Sequence, residues 1–183
     1  MKKMPYSLAR KLMRVGDPIG CRGFKPISRI IRYFKGGEWD LSHISMVIRD
    51  MTMDGERVEV LEALGGHGMC RNFLSKIYEA IHGKLYWMPM ECSHEQRTEI
   101  IQLGEQILAM KIKYDYRATW FALLAPIFVD ATKFNCSEAA WYLLTAVGRL
   151  LRRFDKKERM IAPVPGDFPT WSGVEPVELD MRK

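Results

Sequence analysis

Cysteine is scarce in this 183-residue sequence. The four present, Cys21, Cys70, Cys92 and Cys136, form no CxxC pair and fall far short of a disulfide-stapled density. They read as free thiols of a reducing, cytoplasmic setting. Long apolar runs are missing too. None approaches the roughly 18 residues of a membrane span, and Met1 to Gly20 lacks the run of about seven that a signal peptide needs. There is no internal repeat, no low-complexity tract, no cofactor-binding motif and no nucleic-acid motif, so neither a cofactor nor a nucleic-acid partner is expected. Composition is ordinary, which argues against disorder. The length suits one domain with a sizeable core and no need of staples.

The net charge of +6 is concentrated at two places. Residues 1–14 carry Lys2, Lys3, Arg10, Lys11 and Arg14 with no acid. Residues 149–159 carry six bases against Asp155 and Glu158, and the remainder of the chain is slightly acidic. Such basic ends suit an anionic membrane surface; the plain alternative is a solvated helix face and a loose tail.

The stretch that organises the rest is Phe134-Asn135-Cys136-Ser137-Glu138-Ala139-Ala140-Trp141. Asn135 with Glu138 three residues on reads as a capping box. The helix it opens is apolar at 140, 143, 144, 147, 150, 151 and 154, a 3.6-residue period that predicts helix to about Phe154. Cys136 then lies in the first turn, where free N–H groups and the macrodipole favour a thiolate. A cysteine so placed can be a nucleophile if a base is near. Otherwise it is a small packed hydrophobe.

Upstream, residues 6–15 read as a short helix with Leu8, Leu12 and Val15 on one side, and Ile19–Arg22 as a strand. Ile27–Phe34 has helical spacing and stops at Gly36-Gly37. Leu41–Arg49 and Arg57–Leu64 are β-rich, with a turn at Met53-Asp54-Gly55, and predict a hairpin. On it His43 and Ser45 share one face with Glu62 if the loop is even in length, while Glu59 takes the other. A two-residue turn sets His43 about 13 Å along the strand from Glu62. A four-residue loop, 52–55, faces Glu62 with Ser45 and brings it diagonal to His43; that longer loop is the expectation. Residues 65–68 read as a loop, 73–81 as a short helix or turn and 85–90 as a strand. Ser93 and Gln96 form a second capping box, opening a helix to about Lys113 with Ile100, Leu103, Ile107 and Leu108 inward. Arg117–Ala125 reads as helical, and the prolines at 163, 165 and 169 mark an extended tail.

Three chemistries fit these residues. Cys136 could be a nucleophile served by His43, with Glu62 orienting the imidazole. His67-x-x-Cys70 and Cys92-x-His94 could hold a metal, although the second spacer is shorter than zinc pairs use. Or the chain is a binding module in which His43 is a satisfied core histidine.

A family resemblance bears on the choice. The order His, Glu, Cys at a helix start resembles the circularly permuted papain-fold cysteine peptidases and amidases, the YiiX-type branch of the NlpC-like superfamily. The matching stretches are Val15-Gly16-Asp17, Trp39 to Val47, Val58 to Ala63, Lys113 to Tyr116, Phe134 to Glu138, and Pro165-Gly166-Asp167-Phe168. They appear in the family's order over roughly residues 15–168. The resemblance implies a single α+β domain over 1–183, a permuted papain-like fold with a central antiparallel sheet or partial barrel packed on the Cys136 helix. A basic helix at 1–14 and a tail at 169–183 would be peripheral to it. It implies Cys136 as nucleophile, His43 as general base and Glu62 as third member, with Tyr114, Tyr116 and Ser45 lining the substrate site. The substrate would be peptide-like or acyl, with an amide or isopeptide bond broken through a thioacyl intermediate. The lecithin retinol acyltransferase relatives share the permuted order and an Asn-Cys helix start, but Ser137-Glu138 stands where they usually have Glu-His. A thiol acyltransferase or lipid hydrolase at a membrane surface is thus the second reading, and a non-catalytic protein on the same fold the third.

Overall fold

A computed structural model of the chain describes residues 1–25, 28–29, 32–33, 39–55, 57–114, 133–149, 153–154, 160–161 and 164–180. Seven strands form one sheet: β1 (Lys3–Pro5), β2 (Pro18–Gly23), β3 (His43–Arg49), β4 (Glu59–Leu64), β5 (Gly68–Phe73), β6 (Gly83–Trp87) and, from the C-terminal end, β11 (Val177–Asp180). Their order is β1-β11-β6-β2-β3-β4-β5, while β7 (Lys113–Tyr114) with β8 (Lys133–Phe134) and β9 (Arg153–Phe154) with β10 (Met160–Ile161) form two separate pairs. The pairings are antiparallel except that of β1 with β11, which is parallel, so the sheet is mixed rather than antiparallel throughout.

Helices cover both faces: α1 (Tyr6–Leu12), α3 (Leu74–Ala80), α4 (His94–Ala109) and α5 (Cys136–Ala146) are the main ones, with a short α2 (Met51–Asp54) between β3 and β4. The core therefore splits in two. Ile44, Met46, Leu61, Ala63 and Met69 on one face pack with Ile100, Ile107, Leu143 and Leu144 of α4 and α5. Val47, Val58, Val60, Ile19 and Leu85 on the other pack with Ala9, Met13 and Leu74. Successive residues of the central strands β3 and β4 are thus buried on one face or the other, at roughly 2 kcal/mol for a fully buried aliphatic side chain.

Several expectations need correction. The helix near the N-terminus starts after an edge strand and buries Ala9 and Met13, leaving Leu8 and Leu12 about half exposed. The segment read as an extended tail from Pro163, and as peripheral from 169 on, supplies a 3-10 turn at Pro165–Asp167, the helix α6 (Phe168–Ser172) and strand β11, which lies inside the sheet between β1 and β6. The Met53-Asp54-Gly55 turn is the end of α2, capped at its start by Asp50 and at its end by Gly55 in the left-handed region. Side-chain capping by Asp50 overrides the hairpin signal. Residues 69–72, given no element from the sequence, lie in strand β5, which also takes Gly68 from the expected loop and Phe73 from the expected helix. The Cys136 helix ends at Ala146, with Gly148 at a φ of 72°, rather than near Phe154. Helix α4 likewise stops at Ala109. The expected helix at 117–125 lies outside the described residues.

Candidate active site

The segment leading into β3 is pinned before His43 is reached. The N–H and Oγ of Ser42 both donate to the Cys21 carbonyl, and Ser42 Oγ accepts from the Gly23 N–H. One residue earlier but one, Asp40 holds a φ of 49° and pairs with Arg22 at 2.8 Å. His43 is thereby set opposite Cys21 of β2.

The β3–β4 ladder is the feature that opens the site. It pairs Val47 with Val60 and Met46 with Leu61, and among the described residues goes no further. One more step of the same count would face Ser45 with Glu62, the register expected of the longer loop, although a bulge between Val47 and Arg49 and α2 supply it in place of a four-residue loop. Meanwhile β2 stays paired to β3 as far as His43, and β5 to β4 as far as Leu64. The backbone N–H of Ile44, having no β4 partner, is taken by the sulfur of Cys136.

The helix start that brings the sulfur there is built as the capping box predicts. Asn135 Oδ1 accepts from the N–H groups of Ser137 and Glu138, each at 3.0 Å, and from Ser137 Oγ at 2.9 Å. Glu138 Oε2 accepts from the Asn135 N–H at 2.8 Å. Asn135, Cys136, Ser137 and Glu138 are all buried, so the cap satisfies groups that water cannot reach.

His43 meets Cys136 on one side and Glu62 on the other. Its Nε2 lies 3.4 Å from Glu62 Oε1, which leaves Nδ1 for the thiol. Burial alone would raise the Cys136 thiol, but His43 and the N–H groups of Ile44 and Ser137 outweigh it and hold it below the ordinary thiol range. Burial alone would lower His43; the Cys136 sulfur, and after it Glu62, push the imidazole up to about 10. Both shifts favour a thiolate beside an imidazolium. Among the four thiols Cys136 is distinctive: Cys21, Cys70 and Cys92 are all raised, by burial foremost.

Glu62 has a second partner that sequence reasoning missed. Asn72 Nδ2 donates to Glu62 Oε2 at 3.3 Å, and Asn72 Oδ1 accepts from the Phe73 N–H at 2.9 Å. The amide is thus oriented by the backbone, and Glu62 is held between it and His43. The sequence carries no local signal for it, since Met69 to Phe73 do not alternate apolar with polar; only the pairing of β5 with β4, which sets Cys70 opposite Glu62, brings Asn72 there.

The other expected residues are placed less directly. Ser45 is 1% exposed, and its Oγ finds no hydrogen-bond partner among the described residues. Tyr114 lies in β7 (Lys113–Tyr114), which pairs in parallel with β8 (Lys133–Phe134) and so abuts the start of α5; it packs on the core. Tyr116 lies outside the described residues. No group of three or more His, Cys, Asp or Glu side chains that could hold a metal is found among the described residues, so His67, Cys70, Cys92 and His94 form no such centre there. No helix among them is long and apolar enough to cross a membrane.

A cavity of about 580 Å³ opens against His43, with Glu62, Cys21 and Asn72 also on its wall; Cys136 is not on that wall. A thiolate poised by an imidazolium is an arrangement able to attack an electrophilic carbon, and the same imidazole faces this cavity.

No family model matches the sequence, and no curated protein matches it. A solved structure does: the crystal structure of the metalloprotein YiiX from Escherichia coli O157:H7 (DUF1105) superposes with a TM-score of 0.63 at 17% identity, over 91% of this chain and 97% of that one. The chain therefore has a YiiX-like α+β fold.

Proposed function

We propose that this protein is a cysteine-nucleophile hydrolase of permuted papain type that cleaves an amide or isopeptide bond. The observation that carries the reading is the coincidence at one point of a lowered Cys136 thiol, a raised His43 imidazole and Glu62 at 3.4 Å from that imidazole. Cys136 Sγ attacks the carbonyl carbon, and the negative charge passes to the carbonyl oxygen. The Cys136 N–H, not used by the Asn135 cap, is the first-turn donor suited to that oxyanion. The C–N bond breaks as His43 gives its proton to the leaving amine, leaving a thioester on Cys136. Water, deprotonated by His43, then attacks the thioester and releases the acid, restoring thiolate and imidazolium. Glu62 holds the ring in place for both transfers.

The test is the pH dependence of Cys136 alkylation by iodoacetamide, followed by mass spectrometry with the other three cysteines as internal references. A midpoint well under the roughly 8.5 of a free thiol, rising in His43→Ala protein, supports the reading. Should Cys136 react no faster than Cys70 and Cys92 and ignore the mutation, the protein is no cysteine hydrolase.

One observation favours a second reading, transfer or hydrolysis of a lipid acyl group at a membrane. Leu8 and Leu12 of α1 stand 50% and 46% exposed beside Lys11 and near Lys2. Apolar and basic groups so mixed suit an anionic bilayer. Sedimentation with phosphatidylserine vesicles, and its loss in Leu8→Ser/Leu12→Ser protein, would support it; no sedimentation at low salt would exclude it.

A further inference from the structure

The cavity against His43 is chemically two-sided. Its body is apolar, formed by Leu64 from the end of β4 and by Ile77 and Ile81 at and beyond α3. Its mouth carries Lys25, Lys76 and His82, all exposed. Glu62 is the one acid on its described wall, and that carboxylate is engaged by His43 and Asn72 at the inner end. Neither lysine meets a carboxylate among the described residues. Lys76 keeps its ammonium 5.4 Å from the Phe73 ring centroid, a contact that leaves its N–H donors available.

A wall of this kind discriminates by charge at one end and by apolar contact along its length. A neutral polar ligand would leave the apolar body unused, and a cation would meet like charge at the mouth. An anion on an apolar stem satisfies both ends, with the stem along Ile77 and Ile81 and the charge between the lysines. Resting on the hydrolase reading above, we infer that the substrate carries an anionic group, carboxylate or phosphate, joined by an apolar stem to the scissile carbonyl, and that Lys25 and Lys76 select it.

The test does not depend on the thiol chemistry. Cys136→Ala protein is titrated with hexanoate, hexyl phosphate and neutral hexanamide, and chemical shifts are followed at the backbone amides of residues 76–82 and at the His43 ring. The expected result is saturable binding of at least one anion, weaker for hexanamide by about three- to tenfold, with that margin lost in Lys25→Gln/Lys76→Gln protein and at high salt. The relative strength of hexanoate and hexyl phosphate tells a carboxylate-bearing substrate from a phosphate-bearing one. Equal binding of the anions and hexanamide, no saturable binding of any, or an anion preference that survives the double substitution would each overturn the inference. A cavity that binds the anion in a protein whose Cys136 proves unreactive would sustain the inference about the ligand while the hydrolase reading fails.

Discussion

At Cys136 two buried backbone donors and one imidazole act on a single sulfur, and their joint effect has a definite sign. His43 is raised, so it keeps its proton as pH climbs until about 10; Cys136 is lowered, so its thiolate persists as pH falls below the usual thiol range. An amide-cleavage assay should therefore give a bell, its alkaline limb set by His43 near 10 and its acid limb by Cys136. His43→Ala should slow iodoacetamide alkylation of Cys136 at pH 7 by about tenfold or more, since a thiol near 8.5 is only a few per cent ionised there. Asn72→Ala removes one of the two groups holding Glu62 and should slow the same reaction by a smaller factor, about two- to fivefold. Mass-spectrometric rates at Cys136 against Cys92 check both. The residue types at this point were legible in advance because a capping box and a strand alternation are local signals. The Ile44 N–H and Asn72 were not, because their role depends on strands that meet only in the fold.

Among the elements, helix α5 depends most on its first turn. Asn135 closes two N–H groups that are otherwise buried without partners, so Asn135→Ala should cost about 1–2 kcal/mol in urea unfolding and raise the Cys136 midpoint as the turn frays. Strand β5 depends on a glycine. Gly68 has a φ of +73°, and a Cβ there would stand 2.5 Å from the Ile112 carbonyl oxygen; Gly55, at +82°, has nothing within 4 Å. Both alanine variants suffer the left-handed strain of about 1 kcal/mol, but Gly68→Ala adds a backbone clash and should lower the melting temperature clearly further than Gly55→Ala. Element type was readable wherever period and caps agreed, as in α4 and α5. Their ends were read too long because apolar spacing continues past the glycine or left-handed residue that stops the helix, Gly148 in one case and Lys111, at a φ of 51°, in the other.

For the molecule as a whole, the C-terminal segment is structural. Strand β11 pairs with β6 on one side and with β1 on the other, Val177 and Leu179 are buried, and Glu178 meets both Lys3 and Lys84. Ending the chain after Gly173 would expose β6 as a sheet edge and strip β1 of its partner. The truncated protein should lose cooperative thermal unfolding by circular dichroism and elute as aggregate in gel filtration. A truncation that melts and elutes like the full chain would show the segment to be dispensable.

The sequence by itself determined the local devices: the Asn135–Glu138 cap and the cysteine it presents, the Ser93–Gln96 cap, the alternation that sets His43 with Ser45 and Glu62 with Val60, and the α+β class. Each rests on neighbours a few residues apart, where capping geometry and side-chain period leave little freedom. Only the tertiary structure decided that β3 and β4 part beyond Met46–Leu61 so that a sulfur from α5 enters between them, that Asn72 holds Glu62, and that the last strand closes against the first. These are contacts between segments some 175 residues apart, Lys3 against Glu178. They are chosen by how a mixed sheet buries both its faces at once, a condition no stretch of sequence carries alone.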